Sequence, residues 1–350
     1  MPDNGIGQYL FHGFDPAAPD HVRRETFDLQ APCLFLFQTA LTHVENRFVL
    51  HLSHRRSVTA THVVGVNFQL WTRINARSTA QQNITALLLG IGMLGILIVI
   101  LMAVFAPQLS HFGPEKMVGL PKSPPDGEFW FGTDNYGRDI FSRILYGARV
   151  SLQVGIIAVG IAATAGYVLG LVAGYFEGWV DRVIMCVMDI FFAFPSILLA
   201  IFISAVLGRG LVNTMIAIGI VNIPVFARTV RASVISAKGL EYVQNAKSVG
   251  VRTGTILIRH ISPNVVAPFT VQATLALSSA ILTEASMSFL GLGIQPPDPS
   301  WGSMLSESRT FMEHSPWMAL FPILFIVITI LLFNILGDSL RDVLDPKLKT

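Results

Sequence analysis

Hydrophobic residues in this chain form long unbroken runs rather than a spaced pattern. A helix needs about 20 apolar residues to cross the hydrocarbon core of a bilayer. Strands of a membrane barrel would instead alternate apolar and polar residues over about 10 positions. The pattern therefore predicts an all-α polytopic membrane protein with about six transmembrane helices. The six runs carry at most one charged side chain each and cover residues 86–106, 150–176, 183–208, 210–227, 265–290 and 315–337.

The composition agrees with a membrane protein and narrows the possible functions. Charged residues make up 13% of the chain, whereas soluble domains are about one quarter charged. A formal net charge of +2 gives no support to nucleic-acid binding. The two cysteines, Cys33 and Cys186, lie far apart and match neither a disulfide framework nor a metal-binding pair. No G-x-x-x-x-G-K-[ST] phosphate loop occurs, so we expect no catalytic residues, no ATP hydrolysis and no cofactor here.

Lysine and arginine set the expected orientation, because they are enriched in cytoplasmic loops. The segment 228–264, between the fourth and fifth predicted spans, holds six basic residues and one acid, Glu241. Placing both termini in the cytoplasm puts 17 of the 24 basic residues on the cytoplasmic side. We therefore expect a multi-pass protein whose N- and C-termini are both cytoplasmic.

The first 83 residues differ from the rest of the chain. They contain no apolar run of span length, and they hold six of the nine histidines, at positions 12, 21, 43, 51, 54 and 62. These histidines lack the spacing to cysteine or aspartate that metal sites use, so we expect no metal. The chain therefore divides into a poorly defined cytoplasmic extension, 1–83, and a transmembrane domain, 84–350. A start site placed too far upstream would also explain the extension.

The basic segment 228–264 has a pattern of its own. Residues 240–249 predict a short helix in which Val243, Ala246 and Val249 share one apolar face. Gly250 follows directly and suits a helix C-terminus. A second helical stretch then runs towards Pro263. This helix–glycine–helix element is either a docking element for a partner or a solvated basic loop that follows the positive-inside rule.

The same segment resembles the coupling segment of ABC importer permeases. The pattern in that family is E-A-A, three residues, Gly, nine residues, and then I-x-L-P. Ala246, Gly250 and Pro263 match the pattern, whereas Gln244, Asn245 and Ser262 depart from it. His260 occupies the position of the isoleucine. The family's glutamate contributes charge near the ATPase groove, so Gln244 puts an ionic contact there in doubt.

Other stretches resemble the second permease of dipeptide, oligopeptide and nickel importers. The resemblance implies a type I ABC importer permease in a bacterial inner membrane, which forms half of the pathway and carries peptides. The implied partners are a homologous second permease, two ATP-binding subunits and an extracytoplasmic solute-binding protein. Glutathione or nickel are the alternative cargoes, and a stand-alone secondary transporter is a weaker alternative, since few ionisable residues lie inside the spans. The matching stretches are 131–152, 170–185, 189–201, 241–250, 259–269, 281–305 and 334–349.

Three residues inside the predicted spans are candidates for the pathway. Asp189 and Glu284 are acids in apolar runs, where a charge costs several kcal/mol and often marks a functional site. Each acid could relay protons or contact the amino group of a peptide, or it could pair within the bundle near a span end. Pro195 interrupts the third predicted span and predicts either a static kink or a gating hinge.

Further expectations concern the outer loops and the second span. Arg138 and Asp139 either orient the binding protein or belong to an amphipathic helix at the membrane surface. Trp301 and Trp317 flank the last outer loop, where tryptophan typically anchors at the interface. The second span is rich in glycine, which predicts close packing inside the bundle.

Overall fold

The computed structural model describes residues 83–344. The extension predicted over 1–83 lies outside the described residues except for Asn83, and the last six residues lie outside as well. The described chain is helical along most of its length. Its helices are α1 (Asn83–Val104), α2 (Ala106–Leu109), α3 (Ile140–Phe176), α4 (Gly178–Phe192), α5 (Ser196–Leu207), α6 (Leu211–Lys238), α7 (Glu241–Ser248), α8 (Thr253–Phe289), α9 (Trp301–Ser308) and α10 (Trp317–Leu344).

Five of these helices are long and apolar enough to cross a bilayer, namely α1, α3, α6, α8 and α10. The predicted third span is different, because α4 and α5 form a bent pair with an angle of 91° between them. Counted as one crossing, the pair brings the number of spans to six. The prediction of about six transmembrane helices is therefore confirmed, while the third span is broken rather than continuous.

Two helices are much longer than their apolar runs. Helices α3 and α8 each have 37 residues, about 55 Å of helix, whereas the hydrocarbon core is about 30 Å thick. The predicted interfacial helix before the second span is in fact the first turns of α3. Pro263 does not end a helix either, since it lies within α8 directly after a π-helical turn, Ile256–Ile261. Both helices therefore project well beyond the membrane.

Close contact between α3 and α6 forms the centre of the bundle. Gly166, Gly170 and Gly174 of α3 recur every four residues and face α6. A Cβ atom at Gly170 would lie 2.6 Å from the carbonyl oxygen of Ala227, and one at Gly174 would lie 2.8 Å from the Cβ atom of Val234. Small residues allow this approach of two helix backbones in a membrane. The prediction that the second span packs inside the bundle is confirmed.

The two ends of the bundle are built differently. Helix α9 and the loops 110–139 and 291–316 cover the end where α3 begins, called the α9 end below. Helix α7 and the adjoining ends of α3, α6 and α8 form the opposite end, called the α7 end. Trp301 is fully buried at the α9 end, where its ring N–H donates to the carbonyl of Ile144 at 3.1 Å. The expectation that Trp301 anchors at the membrane surface is therefore wrong.

Candidate functional site

Helix α7 ends in a left-handed glycine turn. Gly250 has φ +81°, its N–H donates to the carbonyl of Lys247, and the N–H of Val251 donates to the carbonyl of Ala246. These two bonds form the Schellman motif, which satisfies carbonyls that the helix end leaves free. Glu241 lies in the first turn and Lys247 in the last, which suits the helix dipole. The structure thus contains the helix–glycine–helix geometry that the sequence predicts.

A buried valine and a tyrosine hydroxyl attach α7 to α8. Val243 packs in an apolar cluster with Val234 of α6 and Ile256 of α8. The hydroxyl of Tyr242 donates to the main-chain carbonyl of His260 at 3.1 Å. His260 contributes its backbone carbonyl to this bond, and the centre of its imidazole ring lies 6.4 Å from the centre of the Tyr242 ring. These contacts attach α7 to both α6 and α8.

Gln244 makes a contact that a glutamate could not make. Its side-chain amide donates to the carbonyl of Lys238, the last residue of α6, at 2.7 Å. A glutamate carboxylate at the same place has no proton to donate and would repel that carbonyl. The departure from the family pattern at Gln244 therefore replaces a charge with a link between α7 and α6.

The outer surface of α7 remains open. Glu241, Gln244 and Asn245 are exposed, and Ala246 is half-buried. Val249 is 84% exposed, which corrects the prediction that it shares the buried face of Val243. The helix ends at Ser248, so the glycine turn directs Val249 away from the bundle. Val249 therefore adds an apolar side chain to the open surface of α7.

Pro263 lies beside an open groove at the same end of the molecule. The groove has a volume of about 670 Å³ and lies between α6, α8 and α10. Pro263 is exposed there, with Thr229 of α6 and Arg341 of α10 also on the wall. The sequence pattern places Pro263 on the coupling segment, and the structure places it within the long helix α8, after the π-helical turn.

Two ion pairs that the sequence analysis did not identify fix α6 to the corner between α3 and α4. Arg231 makes two hydrogen bonds to the carboxylate of Asp181, at 2.5 and 2.6 Å. Lys238 lies 3.0 Å from the carboxylate of Glu177. The two basic residues are seven positions apart, two helical turns, and therefore share one face of α6. In the sequence, the seven-residue spacing of the two basic residues could have indicated these ion pairs, because two acids four residues apart precede the third span.

Asp189 and Pro195 lie on the broken third span. The carboxylate of Asp189 accepts a hydrogen bond from Arg228 of α6 at 2.5 Å, so the structure has the pairing that was one of the two alternatives. Pro195 stands between α4 and α5 and precedes the first residue of α5. It therefore separates two helices at 91° instead of kinking one continuous span.

Glu284 has a different environment from Asp189. It is completely buried between α3 and α8, where it accepts hydrogen bonds from Ser151 at 2.9 Å and Ser288 at 2.8 Å. Its carboxylate thus joins two helices through hydroxyl groups. The structure places Glu284 inside the packed bundle, which agrees with the alternative that it pairs there. Among residues 83–344, Glu284 faces no open groove.

A buried charge network closes the α9 end. Arg138 contacts Asp134 at 2.5 Å and Glu307 of α9 at 2.6 Å. Arg143 is only 1% exposed and contacts Glu307 at 3.2 Å. Asp139 is buried too and caps α3 by accepting a hydrogen bond from the N–H of Ser142. The expectation that Arg138 and Asp139 lie open to a binding protein or on a membrane-surface helix is therefore wrong.

Known proteins resemble this chain over most of its length. Residues 166–350 match the family described as binding-protein-dependent transport system inner membrane component. The chain is 51% identical over 261 residues to the dipeptide transport system permease protein of Alkalihalophilus pseudofirmus, covering 74% of this chain and 86% of that protein. It is 47% identical over 257 residues to the glutathione transport system permease protein of Pectobacterium atrosepticum, covering 73% and 85%.

Among solved structures, the MetNI methionine ABC transporter in inward-facing conformations matches with a TM-score of 0.48 and 16% identity. The match covers 57% of this chain and 94% of that chain. The two permease relatives and the helical bundle agree with the resemblance found in the sequence, including the all-α fold expected of a type I importer permease. The chain is a multi-pass transport subunit, and it belongs to the family of inner-membrane permeases of binding-protein-dependent ABC importers.

Proposed function

We propose that this chain conducts peptides and that α7 is the helix through which an ATPase subunit moves it. The observation that carries the proposal is the construction of α7. The helix is exposed on its outer surface, yet Val243 and Tyr242 fix it to the long helices α6 and α8. A partner that pulls on α7 therefore moves α6 and α8.

The α7 end faces the cytoplasm in this proposal. Six of the basic residues lie in the segment 228–264, and such residues favour the cytoplasmic side. The α9 end then faces the opposite side, where a solute-binding protein delivers cargo. Both termini are cytoplasmic in this arrangement. The full assembly comprises this chain, a homologous second permease, two ATPase subunits and the binding protein.

Peptides are the cargo that the relatives favour. One relative carries the name of a dipeptide permease and another the name of a glutathione permease. Glutathione is itself a tripeptide, so the two names share a chemical class: a small molecule with amide bonds, a free ammonium group and free carboxylates. We therefore propose a small zwitterionic peptide as cargo.

Movement of α7 reaches the pathway along three links. Val243 transmits a push to α8 by direct packing, and Tyr242 adds a hydrogen bond to the same helix. Gln244 holds the last carbonyl of α6. The ion pair of Arg231 and Asp181 links α6 to α4, so α4 moves with α6. ATP-driven closure of the motor would thus rock α4, α6 and α8 as one body, which is the alternating access expected of such bundles.

Reconstitution of the full assembly in liposomes tests the proposal. ATP is supplied on the side of the membrane where the ATPase subunits lie, and the binding protein delivers labelled dipeptide on the other side. We expect the dipeptide to accumulate on the ATPase side, and this accumulation to stop when ATP is omitted. Unlabelled dipeptide and glutathione added as competitors will rank the two cargo classes. Accumulation that proceeds without ATP, or an assembly that moves neither peptide, would refute the proposal.

A further inference from the structure

The pair formed by Asp189 and Arg228 is unusual in its exposure. Asp189 is 63% exposed and Arg228 46%, although both lie in or directly beside apolar runs of span length. Charged side chains at membrane depth face a bundle interior or a water-filled cavity, and they mark substrate pathways. The surface around this pair therefore faces water or protein rather than acyl chains.

The broken helix gives a second, independent observation. Residues 192–198, which include the break at Pro195, are all exposed. Non-helical backbone is tolerated at membrane depth only where protein covers it or where it lines a water-filled cavity. The break begins one turn after Asp189, since the N–H of Ala193 donates to the carbonyl of Asp189. The charged pair and the break thus share one region that lipid cannot cover.

The geometry leaves the pair able to hold a ligand. The guanidinium of Arg228 lies 3.9 Å from the centre of the Phe192 ring, which fixes its orientation. Within residues 83–344, the hydrogen bond to Asp189 is made by one Nη atom of Arg228 and one Oδ atom of the carboxylate. The remaining donors of the guanidinium and the second carboxylate oxygen are available. A positive and a negative group thus stand side by side on an exposed surface.

A neighbouring pair on the same two helices shows the contrast. Asp181 and Arg231 also join α4 to α6, but they make two hydrogen bonds and are less exposed, at 17% and 34%. That pair fixes the helices. The exposed pair adds little to their attachment, because surface salt bridges contribute little to stability.

The depth of the pair places it near the α7 end of the pathway. A span of about 20 residues counted from Leu211 ends close to residue 230, so Arg228 lies in its last turn. In the orientation proposed above, this position is the cytoplasmic mouth. Cargo that leaves the pathway there passes both charges.

We propose that Asp189 and Arg228 bind the charged termini of a zwitterionic peptide, with the guanidinium holding the carboxylate and Asp189 holding the ammonium group. The inference rests on the proposed function, because it takes a small peptide as the cargo. In this proposal the pair is an exit site. When a peptide binds, the ion pair between Asp189 and Arg228 is replaced by one contact from each side chain to the peptide.

Photo-crosslinking on the assembled complex in nanodiscs tests this site without the binding protein. Phe194, which is exposed at the break, is replaced by p-benzoylphenylalanine, and a radiolabelled dipeptide is added. We expect labelling of this chain that the unlabelled dipeptide suppresses. The same dipeptide with an acetylated N-terminus and an amidated C-terminus should need at least about tenfold higher concentration, since it lacks both charges.

Neutralising either charge gives the decisive variants. Asp189→Asn and Arg228→Gln should each reduce labelling about tenfold, because each removes one charge-assisted contact. Arg182→Gln, which removes an exposed positive charge from the same helix α4, is the matched control and should leave labelling unchanged. Equal labelling in all three variants, or suppression by the capped dipeptide at the same concentration, would overturn the inference.

The amount of second permease that co-purifies is measured in parallel. We expect the same amount in both neutral variants as in the natural chain. Its loss from either variant would mean that the pair faces the second permease, and the inference would be wrong. Failure of the natural assembly to take up any peptide in liposomes would instead refute the proposed function, whatever the labelling result.

Discussion

The α9 end and the α7 end of this bundle differ in where their charged side chains lie. At the α9 end, Arg143 and Glu284 are buried and contact partners from other segments, and Trp301 is buried as well. At the α7 end, Asp189 and Arg228 are exposed, and the helix α7 stands outside the packed core. One end is therefore closed by internal contacts, while the other presents its polar groups to partners.

In the proposed mechanism, this difference separates a fixed end from a moving end. A buried charge network holds one geometry, because removing any partner leaves an uncompensated charge in a low-dielectric site. An exposed helix attached through Val243, the hydroxyl of Tyr242 and the amide of Gln244 can follow a partner without loss of the core. The seam of glycines holds α3 and α6 together, so in the proposed mechanism motion applied at α7 is transmitted along these helices.

Breaking the closed end should have the largest effect on stability. Glu307→Ala leaves Arg138 and Arg143 with Asp134 alone, and we expect a loss of about 3–5 kcal/mol. Thermal unfolding of the purified complex measures this loss. Asp189→Asn at the open end is the matched control and should change stability by less than about 1 kcal/mol. Equal effects of the two substitutions would contradict the comparison.

The glycine seam should be the next most sensitive region. Gly170→Ala places a methyl group 2.6 Å from the carbonyl oxygen of Ala227, and we expect a loss of about 1–3 kcal/mol. Gly160→Ala on the same helix meets no atom within 4 Å and should be neutral or slightly stabilising. Thermal unfolding of the two variants side by side gives the answer. A neutral Gly170→Ala would mean that the helices do not approach as described.

The glycine turn of α7 sharpens the comparison, because its substitution should affect coupling more than folding. At φ +81° a Cβ atom meets no neighbour, so the cost of Gly250→Val is backbone strain of about 1–2 kcal/mol at an exposed site. We expect normal membrane insertion but a loss of transport-coupled ATP hydrolysis. Gly250→Asn is the control, since asparagine tolerates this conformation and should retain most activity. Insertion failure in both variants would exclude a role confined to coupling.

The smallest effect is expected for the hydroxyl link between α7 and α8. Tyr242→Phe removes the bond to the carbonyl of His260 and the bond that the hydroxyl accepts from Asn264, and it keeps the ring. At this exposed site we expect a cost of about 0.5–1.5 kcal/mol. Uptake should fall by a small factor while ATP hydrolysis by the assembly continues. The ratio of peptide transported to ATP hydrolysed is the quantity to measure. An unchanged ratio would remove the hydroxyl from the transmission path.

The sequence predicts the spans well, because length and hydropathy alone decide which segments can cross a bilayer. It also predicts the turn at Gly250, since a glycine after a short helix has a local physical cause. It does not predict that α3 continues through Arg143 into the loop, because continuity of a helix past its apolar run depends on tertiary burial. The burial of Trp301 and the exposure of Val249 follow from packing and from the end of a helix, which no periodicity encodes.

In the candidate site, too, some features can be predicted from the sequence and others depend on the fold. The resemblance to the coupling segment of ABC importer permeases points to Gln244 and Pro263, but the bond from Gln244 to the end of α6 is visible only in the fold. Pro195 indicated a kink, whereas the angle of 91° depends on how α5 packs against α6. Glu307 gave no signal in the sequence, because its two arginine partners are more than 150 residues away.

Site-directed labelling of α7 tests the central claim most directly. In a background with Cys33→Ser and Cys186→Ser, Asn245→Cys places a thiol on the exposed surface of α7, and Leu120→Cys places one on the α9 end. The account predicts that an impermeant maleimide added to intact cells labels only Leu120→Cys, and that Asn245→Cys crosslinks to an ATPase subunit in the assembled complex. Labelling of Asn245→Cys from outside intact cells, without any crosslink to an ATPase subunit, would contradict it.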